Sequence, residues 1–141
     1  MASPEKIIYT AHGSATGGRD GHAQSSDGFL DVKLVLPKEI GGPGGGVNPE
    51  QMFAAGYSAC FLGAMKFVAG QEKITLPADT KVEGAVGIGP IPEGFAIAVA
   101  LSVTIPGMER VAAEALVEKA HIVCPYSNAT RGNIDVTLKV I

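Results

Sequence analysis

The sequence is poor in charged residues and has no tryptophan. Only 18% of its 141 residues are charged while 46% are hydrophobic, a balance that excludes a disordered chain. Eleven Lys and Arg against fourteen Asp and Glu give a net charge of −3, so no excess of positive charge attracts nucleic acid or anionic lipid. We therefore expect one domain over residues 1–141 and no nucleic-acid partner. Because so little charge is available for a solvated exterior, we also expect an oligomer interface.

Cysteine is equally scarce, with only Cys60 and Cys124. The first residues contain no basic segment followed by an apolar run, so the sequence predicts a reducing cytoplasm rather than a secreted disulfide scaffold. Lone cysteines in that compartment are either inert core residues or redox and catalytic groups. Composition by itself favours inert core residues.

Hydrophobic periodicity predicts an α+β fold in the order ββ-α-ββ-α-β. Strands show alternation with a period of two, whereas helices carry an apolar stripe between capping and stop residues. Because the helices are separated by hairpins, we expect antiparallel sheets around two main helices rather than a doubly wound sheet. The predicted strands are Lys6–Ala11, Gly28–Leu36, Lys81–Ile88, Phe95–Ile105 and Ile134–Val140, and the predicted helices run from Asn48 to about Gly70 and from Glu109 to Val123.

The first helix has a strong start and no polar face. Asn48 and Gln51 form a predicted capping box, and Glu50 places a negative charge near the positive end of the helix dipole. No charged residue lies between Gln51 and Met65, so this is a central buried helix. The helix is too rich in Gly and Ala, and its uncharged part is too short, for a membrane span. Because an apolar helix needs cover on all sides, we expect a homodimer.

The second helix is predicted to end at the second cysteine. Pro125 disfavours helical geometry at Cys124, which places this cysteine at a flexible helix exit. The inward-facing residues of the helix are predicted to be Ala112, Ala115, Leu116, Ala120 and Val123.

Cys60 lies too far into its helix for the helix dipole to lower its pKa, and burial would raise that pKa. A nucleophilic Cys60 therefore needs a cation near its sulfur. Arg110 is expected to face outward, whereas Arg19 and Arg131 stand in glycine-flanked loops that could deliver a guanidinium group. A carboxylate would then have to fix that guanidinium, and Glu50 is a candidate.

Other chemistries remain open at this point. His121 with Cys60 and Cys124 could suggest zinc, but a fourth ligand and a Cys-x-x-Cys motif are missing, so we expect no metal. A histidine could approach Cys60 in space to form a Cys-His hydrolase or transferase. The plainer interpretation of His121 is a polar residue at a helix end, where protonation would be favourable.

Two segments resemble the signature stretches of the organic hydroperoxide resistance (Ohr) family, a branch of the OsmC-like group. The resemblance continues through the Ala15–Gly21 segment and the glycine loop before Asn48, so it covers essentially the whole chain in order. The two segments are Asn48-Pro49-Glu50-Gln51-Met52-Phe53-Ala54-Ala55-Gly56-Tyr57-Ser58-Ala59-Cys60-Phe61 and Cys124-Pro125-Tyr126-Ser127-Asn128-Ala129-Thr130-Arg131-Gly132-Asn133.

The resemblance implies a thiol-dependent peroxidase that reduces alkyl and lipid hydroperoxides in the response to oxidative stress. It implies an OsmC/Ohr-like fold, an intertwined homodimer with active sites at the subunit interface, and no metal or bound organic cofactor. Cys60 would be the peroxidatic cysteine, Cys124 the resolving cysteine, Arg19 the activator of the thiolate, and Glu50 the carboxylate that orients Arg19. Dihydrolipoamide or a lipoylated protein would be the electron donor.

Two alternatives stay open beside this interpretation. One is a peroxidase of the sister OsmC type with a different substrate preference. The other is a non-catalytic dimer that binds a hydrophobic ligand and in which both cysteines only pack.

Overall fold

The computed structural model describes residues 1–141 and divides into two compact units, Met1–Met52 and Phe53–Ile141. Helix α1, Pro49–Gln71, begins in the first unit and continues into the second. Each unit carries one three-stranded sheet. The prediction of one domain over residues 1–141 stays a prediction.

The first unit contains an antiparallel sheet in the order β1-β2-β3. The ladder begins only at Gly13, which pairs with Ser25, so the residues before it have no partner strand. The predicted strand Lys6–Ala11 is therefore wrong. The predicted strand Gly28–Leu36 is shorter than expected because Gly28 adopts a φ of 80°, a turn conformation. The elements of this unit are β1 (Gly13–Thr16), β2 (Gly21–Ser25), β3 (Asp31–Leu34) and a 3₁₀ helix at Lys38–Ile40.

The second unit contains a mixed sheet in the order β4-β5-β6. The antiparallel β4-β5 hairpin was predicted, but β6 runs parallel to β5. A parallel neighbour requires a crossover connection, and two helices supply it here. The elements that follow α1 are β4 (Lys81–Ile91), β5 (Gly94–Thr104), α2 (Arg110–Val123), α3 (Pro125–Thr130) and β6 (Val136–Val140).

The core of the second unit lies between its sheet and its helices. The large-residue face of β5 is buried over Val99, Leu101 and Val103, as the alternating pattern predicts, while Phe95 at the hairpin end is 75% exposed. Helix α1 contributes large side chains to the same core, among them Tyr57 and Phe61. The result is an α+β fold with two main helices.

Helix α2 turns a different face to the core than its sequence predicts. Ala112, Ala115 and Val123 are exposed, whereas Ala113 and Val117 are buried together with the predicted Leu116 and Ala120. Alanines occur on both sides of this helix, so the apolar pattern alone does not fix its rotation. The rotation of the helix follows instead from burial of the larger Leu116 and Val117 side chains.

The bounds of α1 agree with the prediction, and its capping box is present. Asn48 Oδ1 accepts from the Gln51 N–H at 2.9 Å, and Gln51 Oε1 accepts from the Asn48 N–H at 3.0 Å. Only one side of the helix is buried within this chain. Ala55, Ala59 and Gly63 on the other side are exposed, as is Phe67 at 56%.

By length and composition, α1 could cross a membrane. Only 33% of its most apolar window is buried inside the fold. Length and composition are weak support for a span, because a core helix satisfies them equally well. The expectation that the chain does not insert into a membrane stays a prediction.

Candidate active site

Cys60 and Cys124 are brought together by the fold of the second unit. Their Sγ atoms lie 3.2 Å apart, although 64 residues separate them in sequence. Both are free thiols: Cys124 is fully buried and Cys60 is partly exposed. Because a disulfide has an S–S distance of about 2.05 Å, the two sulfurs need to approach by only about 1 Å to form one.

The surroundings of Cys60 oppose ionisation of its thiol. Burial, which disfavours the charged thiolate, raises the pKa of Cys60 to about 11, and the neighbouring Cys124 adds to the rise. The backbone N–H of Tyr126 acts in the opposite direction by donating toward the Cys60 sulfur, but it does not cancel the effect of burial. This outcome agrees with the sequence argument that Cys60 needs a cation to become a nucleophile at neutral pH.

Cys124 lies buried at the junction of helices α2 and α3. It ends α2 and precedes α3, with a φ of −63° and a ψ of 122°. Its N–H donates to the Ala120 carbonyl at 2.8 Å, and its carbonyl accepts from the Asn128 N–H at 3.0 Å. Pro125 begins α3 because its fixed φ suits a first helical position. The predicted helix end at Cys124 is confirmed. The short helix α3, which begins at the next residue, was missed by the sequence analysis.

Arg19 and Glu50 form a bidentate ion pair in the first unit. Nη1 and Nη2 of Arg19 donate to the two carboxylate oxygens of Glu50 at 2.7 and 2.6 Å. The Glu50 side chain is 14% exposed and that of Arg19 is 37% exposed. The hydrogen bond from Arg19 lowers the pKa of Glu50, and Glu50 raises the pKa of Arg19.

Local backbone geometry places each member of this ion pair. Arg19 lies in the turn between β1 and β2, where Gly17 has a φ of 76° and a Cβ would stand 2.2 Å from the Asp20 carbonyl oxygen. Only glycine fits there. Glu50 lies in the first turn of α1, just after Val47, which forms a parallel bridge with Leu34 of β3.

The four predicted site residues thus form two pairs, Arg19 with Glu50 and Cys60 with Cys124. Glu50 and Cys60 lie on the same helix, one at its start and the other near its middle. Arg131 was the other loop arginine considered as a partner for Cys60. It donates instead to the His121 carbonyl at 2.8 Å and to Asn128.

Sequence analysis missed a network of buried hydroxyl groups on α1 and α3, close in sequence to Cys60 and Cys124. The Tyr57 hydroxyl lies 2.9 Å from Ser127 Oγ and 2.9 Å from Thr130 Oγ1. Ser127 Oγ also lies 2.8 Å from His121 Nδ1. A possible signal was the presence of hydroxyl residues at helical spacing in an apolar segment, since buried hydroxyls require partners.

His121 lies in the last turn of α2, as predicted, but its surroundings disfavour the protonated form that would suit a helix end. Burial lowers its pKa, and the charge of Arg131 lowers it further, so the neutral imidazole is favoured at pH 7. Neither Cys60 nor Cys124 forms a hydrogen bond with a histidine side chain. No group of three or more His, Cys, Asp or Glu side chains is placed to hold a metal ion.

Comparison with known proteins agrees with this fold. The family model described as "OsmC-like protein" matches residues 42–139. The chain is 63% identical to the organic hydroperoxide resistance protein of Xanthomonas axonopodis pv. citri, over 98% of each sequence. It is 45% identical to organic hydroperoxide resistance protein OhrB of Bacillus subtilis, over 94% of this chain and 98% of the relative.

A solved structure extends the likeness to three dimensions. The crystal structure of an organic hydroperoxide resistance protein from Legionella pneumophila superposes with a TM-score of 0.91 at 51% identity, covering 96% of this chain and 98% of the other. The fold and the family model therefore define an α+β protein of the OsmC-like class. Within that class, the chain belongs to the organic hydroperoxide resistance (Ohr) family.

Proposed function

We propose that this protein is a cysteine-based peroxidase that reduces organic hydroperoxides to alcohols. Membership in the Ohr family supports the substrate class. The observation that carries the proposal is the 3.2 Å approach of the Cys60 and Cys124 sulfurs, one partly exposed and the other buried. A partly exposed thiol can meet a substrate, while a buried neighbour can resolve the oxidised product.

In the first step, the Cys60 thiolate attacks the terminal oxygen of the hydroperoxide and the O–O bond breaks. Sulfur is oxidised to a sulfenic acid, and the peroxide leaves as an alkoxide that takes up a proton to become the alcohol. In the second step, the Cys124 thiol attacks the sulfenic sulfur, a Cys60–Cys124 disulfide forms, and hydroxide leaves as water after it takes the thiol proton. The disulfide is then reduced by two electrons from a dihydrolipoyl group, which itself becomes a cyclic disulfide.

Arg19 and Glu50 are proposed to lower the pKa of Cys60 so that its thiolate forms at neutral pH. A guanidinium near the thiolate would lower the high pKa that burial produces and would stabilise the charge that develops on the leaving alkoxide. The bidentate hydrogen bonds from Arg19 to Glu50 would hold that guanidinium in one orientation.

A homodimer in the cytoplasm is part of the proposal. Its support is the exposed apolar side of α1, which includes Ala59 and Phe67 and leaves one side of an uncharged helix segment without cover in the single chain. The low charge of the sequence agrees with a second copy as the cover. A reducing cytoplasm would keep the two cysteines as free thiols between cycles.

Preference for bulky alkyl groups over hydrogen peroxide would come from apolar contact near Cys60. Phe53, Tyr57 and Tyr126 form an aromatic cluster, with ring centroids 5.8 to 5.9 Å apart. Tyr57 is fully buried and belongs to the core, whereas Tyr126 is 40% exposed and can meet a substrate. Burial of apolar substrate surface contributes roughly 25 cal/mol per Å².

Hydroperoxide consumption by purified protein tests the proposal. Wild-type protein should consume an alkyl hydroperoxide through many turnovers with dihydrolipoamide and far fewer with a monothiol of equal reducing capacity. Cys60→Ser should lose this activity, and Ser102→Ala, a hydroxyl change on β5, is a control expected to keep it. Multi-turnover consumption by the Cys60→Ser protein would refute the proposal.

The same assay separates the two alternatives. Equal rates with hydrogen peroxide and a bulky alkyl hydroperoxide would favour the sister OsmC type of peroxidase. A ligand-binding dimer would form no Cys60–Cys124 disulfide after addition of one equivalent of alkyl hydroperoxide, as read by intact mass and by mapping of non-reduced peptides.

A further inference from the structure

The side chains of Tyr57, Ser127, Thr130 and His121 form one continuous hydrogen-bonded set, hereafter the hydroxyl network. Its contacts are His121 Nδ1 to Ser127 Oγ at 2.8 Å, Ser127 Oγ to the Tyr57 hydroxyl at 2.9 Å, and the Tyr57 hydroxyl to Thr130 Oγ1 at 2.9 Å. Thr130 Oγ1 also donates to the Ser127 carbonyl at 3.3 Å. Tyr57 and Ser127 are fully buried, and Thr130 is 5% exposed.

Hydrogen counting fixes the direction of every bond in this network. The Ser127 carbonyl can only accept, so Thr130 uses its single hydroxyl hydrogen there. Tyr57 must then donate to Thr130, and Ser127 must donate to Tyr57. The remaining contact, between His121 and Ser127, requires a hydrogen on Nδ1 of His121. A neutral His121 is therefore the Nδ1–H tautomer, with Nε2 unprotonated.

The hydroxyl network surrounds the cysteine pair in sequence and joins three helices. Tyr57 lies on α1 one turn before Cys60. His121 lies on α2 one turn before Cys124, and Ser127 and Thr130 lie on α3, just after it. The helix that carries Cys60 is thus tied through one phenol to the segments on both sides of Cys124.

We propose that the hydroxyl network positions Cys124 for attack on oxidised Cys60, so that Tyr57, Ser127, Thr130 and His121 are positioning residues of the resolving step. The two sulfurs stand 3.2 Å apart, and a disulfide requires them to approach by only about 1 Å. A network that fixes both flanks of Cys124 preserves this short approach. Loosening it would lengthen the life of the sulfenic acid, which further hydroperoxide then oxidises irreversibly to sulfinic acid.

This inference rests on the proposed peroxidase function, and the test keeps the two apart. Acid-quenched samples of protein mixed with alkyl hydroperoxide are analysed by intact mass, which separates sulfenic, disulfide and sulfinic forms. Tyr57→Phe keeps the ring and removes the central hydroxyl. It should slow disulfide formation about tenfold and raise the sulfinic fraction, while the rate of Cys60 oxidation changes far less. Tyr9→Phe, at an exposed tyrosine, is the matched control and should behave as wild type.

A second pair of variants guards against a simple loss of stability. Thr130→Val removes the last hydroxyl at nearly constant shape and should reproduce the Tyr57→Phe defect, whereas Thr130→Ser restores the hydroxyl and should recover most of the rate. Urea unfolding gives the stability of each variant. Comparison of the variants then shows whether the rate of disulfide formation depends on stability or on the hydroxyl group at position 130. A defect shared equally by Thr130→Ser and Thr130→Val would overturn the proposal.

Nitrogen-15 chemical shifts of the His121 ring give a readout that does not depend on activity. The Nδ1–H tautomer at pH 7 supports the network, and an Nε2–H tautomer at that pH, which has no hydrogen on Nδ1, overturns its hydrogen-bond direction. A Tyr57→Phe protein that forms the disulfide at the wild-type rate overturns the positioning role and leaves the peroxidase function intact. A wild-type protein that forms no disulfide at all refutes both.

Discussion

The sulfur of the fully buried Cys124 lies 3.2 Å from the sulfur of the partly exposed Cys60. The two thiols therefore differ in access, although they are neighbours. In the proposed cycle, an oxidant reaches Cys60 from solvent, and Cys124 reacts with the oxidised form of Cys60. This asymmetry supports the proposed peroxidatic role of Cys60 and the proposed resolving role of Cys124.

Replacement of the buried thiol should expose the first oxidation product. Cys124→Ser should still oxidise once per subunit, but Cys60 should then proceed to sulfinic acid under excess alkyl hydroperoxide because no thiol captures the sulfenic acid. Intact mass after a series of hydroperoxide doses measures this. Wild-type protein, dosed in parallel, should accumulate disulfide instead. Multi-turnover reduction by Cys124→Ser with dihydrolipoamide would contradict the resolving role.

Loss of the Arg19 guanidinium should raise the pKa of Cys60. Burial and Cys124 raise that pKa to about 11, so the thiolate needs a cation to be populated at pH 7, and the proposed cycle assigns this task to Arg19. In a Cys124→Ser background, where one thiol titrates, Arg19→Ala should shift the ultraviolet thiolate titration to higher pH. Each unit of increase lowers the thiolate fraction, and with it the hydroperoxide rate at pH 7, about tenfold.

Arg110→Ala is the matched control for this titration. Its guanidinium donates to the Val140 carbonyl at 2.9 Å and is expected to leave the Cys60 titration unchanged. Superimposable titrations of the Arg19→Ala and parent proteins would remove Arg19 from its assigned role.

The Arg19–Glu50 pair should contribute stability that disappears in acid. Because Arg19 holds the pKa of Glu50 below its ordinary value of 4.5, the contribution is present above that value and is lost as the pH falls through the lowered pKa. Glu50→Gln should lower the free energy of unfolding by about 1 kcal/mol at pH 7, a modest figure because Arg19 is 37% exposed. The difference from wild type should vanish at lower pH.

Urea unfolding at a series of pH values measures this difference. Glu118→Gln, on the exposed surface of α2, is the control and should show no such pH-dependent gap. A gap that persists unchanged in acid would mean that Glu50 stabilises the fold by packing and not by its charge.

Close packing of β4 against α1 should make Gly84 intolerant of a side chain. A Cβ at Gly84 would stand 2.7 Å from Ser58 Oγ and 3.0 Å from the Ala54 carbonyl oxygen. Gly84→Ala should therefore lower the free energy of unfolding by about 1–3 kcal/mol. Gly87→Ala, on the same strand with no atom within 4 Å of its new Cβ, is the control. Equal unfolding midpoints for the two variants would show that α1 can move away from the sheet at low cost.

Much of the fold was predictable because its signals are local. The capping box of Asn48 and Gln51 sets the start of α1, and the alternation along β5 sets its buried face. The missed features depend on partners distant in sequence. Strand β6 lies parallel to β5, and Ala113 rather than Ala112 faces the core, because packing chooses among apolar patterns that are locally equivalent.

The site divides in the same way. The sequence by itself determined which residues are candidates for the proposed chemistry, since two cysteines, two loop arginines and a first-turn glutamate can be recognised in its motifs. The family resemblance implied the Cys60–Cys124 and Arg19–Glu50 pairs. Only the tertiary structure decided how far apart their atoms lie and that Tyr57 joins three helices through its hydroxyl. The physical reason is that contacts between distant residues depend on how helices and sheets pack, and no local pattern encodes a distance across the core.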